Sequence, residues 1–246
     1  MSLELSVLLV VFTFLMLSGV PLSFSMLLSS ALYFLSIGRP MYFLAHRMFT
    51  GIDTFTLMAI PFFILAAELM VLSGTAERLL KFTNILVGRF HGGLAYVNVL
   101  ASMLFGGASG SAIADVAGLG VLEIDMMERG GYDKPFSTAL TISSAIQGPL
   151  IPPSIMMVLI GATTGTSIGA LLVGAAIPGL LVGIAQITVI FVVGKRRGFP
   201  VSESTLSRGE KVIASLSALP FLMMPLIIIG GILGGIVTPT EASAVA

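Results

Sequence analysis

Two short segments of this sequence hold the residue types that could bind a ligand. The first, Gly106 to Ser111, reads Gly-Gly-Ala-Ser-Gly-Ser, and Asp115 follows one helical turn later. The second, Gly148 to Ser154, has three prolines in five residues. Glycine and proline interrupt helices, so each segment frees backbone carbonyls and exposes helix ends. Helix N-termini attract carboxylates, and freed carbonyls with serine hydroxyls can coordinate a hard cation such as Na⁺.

The oxygen-bearing residues of these two segments form one candidate cation site. A cation site needs several oxygens that converge from different parts of the chain. The hydroxyls of Ser109, Ser111 and Ser154 and the carbonyl of Gly148 would supply such a set. The sequence therefore predicts a Na⁺ site that both segments share.

Helix packing is the alternative explanation for the same residues. Gly107, Gly110 and Ser111 are small enough to let two membrane helices approach closely, and the proline-rich segment could be a passive kink. Two interruptions in neighbouring apolar segments are instead typical of a transporter binding site. We therefore favour a site over packing alone.

Acidic residues within or beside apolar segments are further candidates. An ionised aspartate at mid-membrane costs about 2.5–3.5 kcal/mol on insertion scales, so Asp115 is expected to face a cavity or a partner. Glu68 is expected near the cytoplasmic end of its segment, where it would reach the interface or form a salt bridge. Glu123, Asp125 and Glu128 are expected to be solvated.

The composition of the chain places these segments in a membrane. The 246 residues are 56% hydrophobic and 10% charged, with a mean hydropathy of +1.07. Soluble domains carry about a quarter charged residues. With no cysteine, two histidines and 12 basic against 12 acidic residues, the chain offers no thiolate or histidine metal cluster and no basic stripe for nucleic acid.

The apolar segments predict an all-α, polytopic membrane bundle with a re-entrant hairpin and a broken helix. Gly, Pro and charged residues mark the ends of its elements. The predicted spans are 5–18, 22–37, 54–72, 168–193 and 219–236; interfacial or amphipathic helices are expected at 39–51, 75–88 and 200–217; the hairpin covers 93–131 and the broken helix 134–164.

The distribution of basic residues predicts the orientation. Threading these spans puts ten of the twelve basic residues on one side, in 75–90, 129–134 and 195–211. The positive-inside rule makes that side cytoplasmic, so the N-terminus is expected in the periplasm. This threading requires 93–131 to re-enter the membrane rather than cross it.

An intramembrane enzyme is a weaker hypothesis. Gly107-Ala108-Ser109 could mark a serine nucleophile, but residue 111 is serine, so the Gly-x-Ser-x-Gly elbow is absent. Neither His46 nor His91 lies in an apolar span where it could act as the base. A transporter is favoured over an enzyme or a channel.

Four motifs resemble the large membrane subunit (DctM-like) of tripartite ATP-independent periplasmic (TRAP) transporters. They are Ile-Pro-Phe-Phe-Ile-Leu-Ala-Ala-Glu-Leu-Met at 60–70, Gly-Ala-Ser-Gly-Ser-Ala-Ile-Ala-Asp-Val-Ala at 107–117, Ile-Pro-Pro-Ser at 151–154 and Thr-Pro-Thr-Glu-Ala-Ser-Ala at 238–244. The resemblance implies the first half of an inverted-repeat, elevator-type fold similar to the ion transporter superfamily. On that pattern, 1–92 holds scaffold helices and a connecting arm, 93–164 is transport domain, and 165–246 holds a scaffold helix, a second arm and the start of the second repeat.

The same resemblance implies Na⁺-coupled import of an organic acid such as a C4-dicarboxylate or sialic acid. A periplasmic binding protein would deliver the substrate to a complex with a small membrane subunit in the bacterial or archaeal inner membrane, with Na⁺ as coupling ion and no cofactor. An organic-anion transporter without a binding protein is the alternative. The residues that the family pattern assigns to sodium are Ser109, Ser111, Gly148, Pro152 and Ser154. The candidates for substrate contact or support of these ligands are Gly107, Gly110, Asp115 and Pro153.

Overall fold

Apolar runs separated by glycine, proline and short polar stretches fold as helices throughout the part of the chain that the structure describes. The structure is a computed structural model, and it describes residues 3–200 and 208–245. These residues form helices and turns and contain no strand, which confirms the predicted all-α class. They divide into two compact units, one ending at Thr54 and the other beginning at Phe55.

The N-terminal unit is built from three helices. They are α1 (Leu3–Leu17), α2 (Leu22–Ser36) and α3 (Tyr42–Ile52). Helices α1 and α2 pack against each other, because Gly19 adopts a left-handed φ of +81° and Pro21 precedes the first turn of α2. The predicted pair of helices is therefore confirmed over one kinked helix.

The second unit begins with a 3₁₀ turn, Phe55–Met58, and continues through ten α-helices in its described residues. These are α4 (Ala59–Leu72), α5 (Thr75–Val87), α6 (Gly93–Ser109), α7 (Ala112–Asp115), α8 (Val121–Arg129), α9 (Lys134–Ala145), α10 (Ile155–Thr164), α11 (Ile168–Arg197), α12 (Arg208–Leu233) and α13 (Pro239–Val245). A π-helical turn, Val116–Gly120, joins α7 to α8.

Among the residues that the structure describes, three segments are long and apolar enough to cross a membrane: Phe55–Leu72, Ile168–Arg197 and Lys211–Leu233. In each, only 17% of the apolar window is buried inside the protein, so most of its side chains are left for lipid to solvate. Helix α12 is continuous from Arg208, so no separate amphipathic helix precedes its span there. The rest of that predicted helix, 201–207, lies outside the described residues.

Two apolar clusters fix the hairpin formed by α6, α7 and α8. Phe105 and Leu119 are fully buried in one of them, which also includes residues of α5. At the base, the ring of Phe199 lies 4.9 Å from the rings of both Tyr132 and Phe136. The same cluster includes Leu94 of α6 and Met127 of α8, and burial of large aromatic side chains contributes strongly to such packing, so the two arms are held together at the base as well. Re-entry of this hairpin into the membrane stays a prediction.

Candidate functional site

The hairpin reverses direction at Gly110. Helix α6 runs through the Gly-Gly-Ala run and ends at Ser109, so the interruption predicted from Gly106 onward begins only at Gly110. Small residues can continue a helix when tertiary packing supports it. Gly110 then takes a left-handed φ of +63°, and its N–H donates to the Gly106 carbonyl at 2.7 Å. Ser111 is extended and caps α7, with its hydroxyl accepting a hydrogen bond from the Ala114 N–H.

The second interruption ends in a similar serine cap. Ser154 is extended at the N-terminus of α10, and its hydroxyl accepts from the Met157 N–H at 3.3 Å. The same hydroxyl donates to the Pro149 carbonyl at 2.6 Å, which closes the turn. The buried Gln147 at the start of the break donates to the side chain of Gln186 on α11. Thus α7 and α10 both present a serine-capped N-terminus.

The two interruptions are in close contact with each other. A Cβ atom on Gly106 would lie 2.7 Å from the Cα atom of Gly148. One on Gly148 would lie 3.0 Å from the carbonyl carbon of Ser111. One on Gly110 would lie 2.7 Å from the carbonyl oxygen of Pro153. Contacts this short leave no room for a side chain, so glycine is required for the approach.

Two oxygen atoms at this contact have weak hydrogen bonds or none. The side chains of Ser109 and Ser154 are fully buried. The Ser109 hydroxyl has only 3.4 Å hydrogen bonds to the Ser111 backbone, and the Gly148 carbonyl accepts none from the described residues. The Pro152 carbonyl also faces the hairpin, 3.5 Å from a Cβ position on Gly107. The structure thus brings the predicted ligands together; coordination of Na⁺ by them stays a prediction.

A cavity of about 370 Å³ lies beside the hairpin tip. Ser109 and Ser111 line it together with Glu68 of α4. No salt bridge involves Glu68 within the described chain, so of its two predicted alternatives only a position at the membrane interface stays a prediction. Glu68 reaches the cavity because α4 packs against α6, and spacing along the sequence carries no signal for that packing.

A network of buried polar side chains connects the hairpin to α9. The Asn98 amide donates to the Thr141 hydroxyl at 2.7 Å, and the Ser144 hydroxyl donates to the Asn98 carbonyl oxygen at 2.9 Å. Ser102 lies 3.0 Å from Ser144 and donates to Glu123 at 3.3 Å. Sequence reasoning missed this network. Polar residues spaced along the apolar α6 and α9 were its available signal.

The acidic residues of the hairpin differ sharply in burial. Asp115 is 1% exposed, as expected for an acid that faces inward. Glu123 is 0% exposed, so the prediction that it is solvated was wrong. Asp125 and Glu128 are exposed as predicted, and they form surface ion pairs at 2.8 Å and 3.6 Å. The π-helical turn shifts the helix phase after residue 116, which moves Glu123 inward.

Comparison with known families decides the class of protein. A family model described as the DctM component of tripartite ATP-independent periplasmic transporters matches residues 9–246. This chain belongs to that family. The matched region includes the hairpin, the broken helix and all the predicted ligands. The resemblance in the four sequence motifs is thereby confirmed.

Similar proteins support the assignment. The sialic acid TRAP transporter large permease protein SiaM of Vibrio cholerae is 44% identical over 94% of this chain and 54% of its own length. The C4-dicarboxylate TRAP transporter large permease protein DctM of V. cholerae is 40% identical over 94% of this chain and 51% of its own length. The 2,3-diketo-L-gulonate TRAP transporter large permease protein YiaN of Escherichia coli is 36% identical over 93% of this chain and 54% of its own length. The chain therefore spans about half the length of these relatives.

Membership in this family and the long apolar helices make the chain a multi-pass inner-membrane protein. The family consists of transporter permeases that work in a tripartite system. The division of this chain into scaffold and transport parts stays a prediction.

Proposed function

We propose that this chain is part of the large permease subunit of a Na⁺-coupled importer of an organic acid. The substrate class is sialic acid, a C4-dicarboxylate or a similar carboxylate, as in the names of the relatives. A periplasmic binding protein delivers the substrate, and a small membrane subunit completes the complex. The observation that carries the proposal is the contact between the hairpin tip and the broken helix, where the buried Ser109 hydroxyl makes only 3.4 Å hydrogen bonds and the buried Gly148 carbonyl accepts none from the described residues.

The residues at this contact would supply ligands for Na⁺ and groups that contact the substrate or support those ligands. Ser109, Ser111, Gly148, Pro152 and Ser154 would hold Na⁺, which supplies the driving charge: one charge crossing 100 mV contributes about 2.3 kcal/mol. The candidates for substrate contact or for support of these ligands are Gly107, Gly110, Asp115 and Pro153.

The positive ends of α7 and α10 suit a carboxylate substrate. Helix N-termini carry a partial positive charge and unpaired N–H groups. The cavity of about 370 Å³ gives access to one of these ends, with Ser111, Ile113 and Ala114 in its lining. Glu68 in the same lining would repel a carboxylate, so it favours binding of the cation before the anion.

Uptake by the assembled complex tests the sodium site. Ser109→Ala and Ser111→Ala are expected to abolish Na⁺-dependent uptake into proteoliposomes while the complex still assembles. Ser36→Ala is the matched control, because its exposed hydroxyl bonds only to the carbonyl of Tyr33 on its own helix. Normal Na⁺ dependence in both tip variants would contradict the site assignment.

Omitting the binding protein tests the delivery step. Uptake is expected to stop when the periplasmic protein is left out of the assay. Uptake that continues at an unchanged rate would favour the alternative, an organic-anion transporter without a binding protein.

Cysteine labelling tests the orientation, for which the chain offers a cysteine-free background. Cysteines that replace the exposed Glu128 and Arg196 are expected to react from the cytoplasm, and one that replaces the exposed Thr166 from the periplasm. The opposite pattern would reverse the proposed topology, in which the N-terminus is periplasmic.

A further inference from the structure

Two carboxylates inside the hairpin have oxygens without partners. Asp115 is 1% exposed, and neither of its carboxylate oxygens accepts a hydrogen bond from the described residues. Glu123 is 0% exposed; its Oε1 accepts from Ser102, while its Oε2 accepts from no described residue. Buried polar atoms are normally paired, and a buried charge without compensation is very costly. These three oxygens therefore indicate a missing positively charged partner.

The π-helical turn places the two carboxylates on one side of the same helical arm. Eight residues along a regular α-helix leave two side chains roughly 80° apart. A π turn accommodates one extra residue, so the two side chains are rotated around the helix axis as if seven residues separated them. They then lie about 20° apart. Val116–Gly120 is such a turn and lies between Asp115 and Glu123. π turns occur frequently at functional sites.

The surroundings of this pair offer oxygens and no compensating charge. The two carboxylates are near enough for their charges to repel. Ser102 is a polar neighbour of both, and Thr141 of α9 adjoins Glu123. The salt bridges found within the described chain all lie at exposed positions and involve neither acid. Asp115 is in the first turn of α7, where the helix dipole stabilises part of the negative charge.

We propose that Asp115 and Glu123 form an interior Na⁺ site, separate in its ligands from the hairpin tip. Three carboxylate oxygens and the Ser102 hydroxyl form a set of acceptors, which suits a hard cation. A proton on each acid would remove the two charges, but each new O–H group would itself need an acceptor, and the described residues supply no partner for either oxygen of Asp115.

The proposal deepens the proposed function, on which it rests for the identity of the ion. Equilibrium binding of radioactive Na⁺ to the purified permease complex tests it without requiring transport. The double variant D115N/E123Q is expected to bind one Na⁺ fewer per permease than the wild type. The exposed pair D125N/E128Q on the same helix is the matched control and should bind the wild-type number.

The outcomes separate this proposal from the tip site. Loss of one ion in D115N/E123Q and of a different ion in S109A supports two sites, even if the complex shows no uptake. An unchanged Na⁺ count in D115N/E123Q overturns the interior site and leaves the proposed function standing. The proposal is also overturned if the two acids of the wild type exchange a proton and bind no Na⁺. It is likewise overturned if the site binds Ca²⁺ that Na⁺ fails to displace. If the double variant does not fold, the single variants D115N and E123Q decide, and a wild-type Na⁺ count in both overturns the proposal.

Discussion

The hairpin tip and the polar interior of the same hairpin bring oxygens together in different ways. At the tip, Gly110 and the prolines before Ser154 end helices, and the oxygens come from capping serines and freed carbonyls. In the interior, the chain stays helical through the π turn, and Asn98 and Glu123 contribute oxygens from the sides of their helices. The tip depends on backbone conformation, and the interior depends on which side of each helix faces inward. Substitutions should therefore damage the two regions differently.

The largest effect is expected at the backbone of the tip. Gly110→Ala puts a Cβ 2.7 Å from the Pro153 carbonyl oxygen at a left-handed φ of +63°. An unfavourable backbone region alone costs about 1–3 kcal/mol, and the clash adds to it. We expect uptake to fall at least about tenfold, since 1.4 kcal/mol corresponds to that factor. Gly174→Ala, where a Cβ meets no atom within 4 Å, is the control. Equal uptake in the two variants would show that the tip tolerates separation from the broken helix.

An intermediate effect is expected in the polar interior. Asn98→Ala leaves the hydroxyls of Thr141 and Ser144 without their amide partner. Loss of one partner in a buried pair costs about 1–3 kcal/mol. Thermal unfolding of the purified complex should show this loss of stability, while Thr163→Ala, which removes an exposed hydroxyl bonded within its own helix, should change it by less than about 0.5 kcal/mol. Wild-type stability of Asn98→Ala would mean that the interior network does not stabilise the hairpin.

The smallest effect is expected from the serine caps when Na⁺ is absent. Ser154→Ala and Ser167→Ala each remove an N-cap, worth about 0.5–2 kcal/mol. With Na⁺ added, the Ser167 variant should gain the same stabilisation as the wild type, whereas the Ser154 variant should gain less. Thermal unfolding with and without Na⁺ measures both quantities. Identical gains in the two variants would remove Ser154 from the tip site.

The accuracy of the sequence-based predictions follows the same division. The interruptions at Gly110 and before Ser154 were predicted because glycine and proline act locally on the backbone. The first interruption begins four residues later than predicted, at Gly110 instead of Gly106, because packing against the broken helix allows the Gly-Gly-Ala run to stay helical. The interior position of Glu123 was missed because a π turn leaves no comparable local signal.

By itself, the sequence determined the membrane class, the helical segments, their breaks and the family. These properties follow from apolar content, helix-breaking residues and motifs, all of which act over a few neighbouring residues. Tertiary structure alone decided how closely the tip approaches the broken helix, that Glu68 lines the cavity beside it, and that Glu123 is buried. Those features depend on helix phase and on contacts between residues distant in sequence, which the spacing of residues along one chain does not specify.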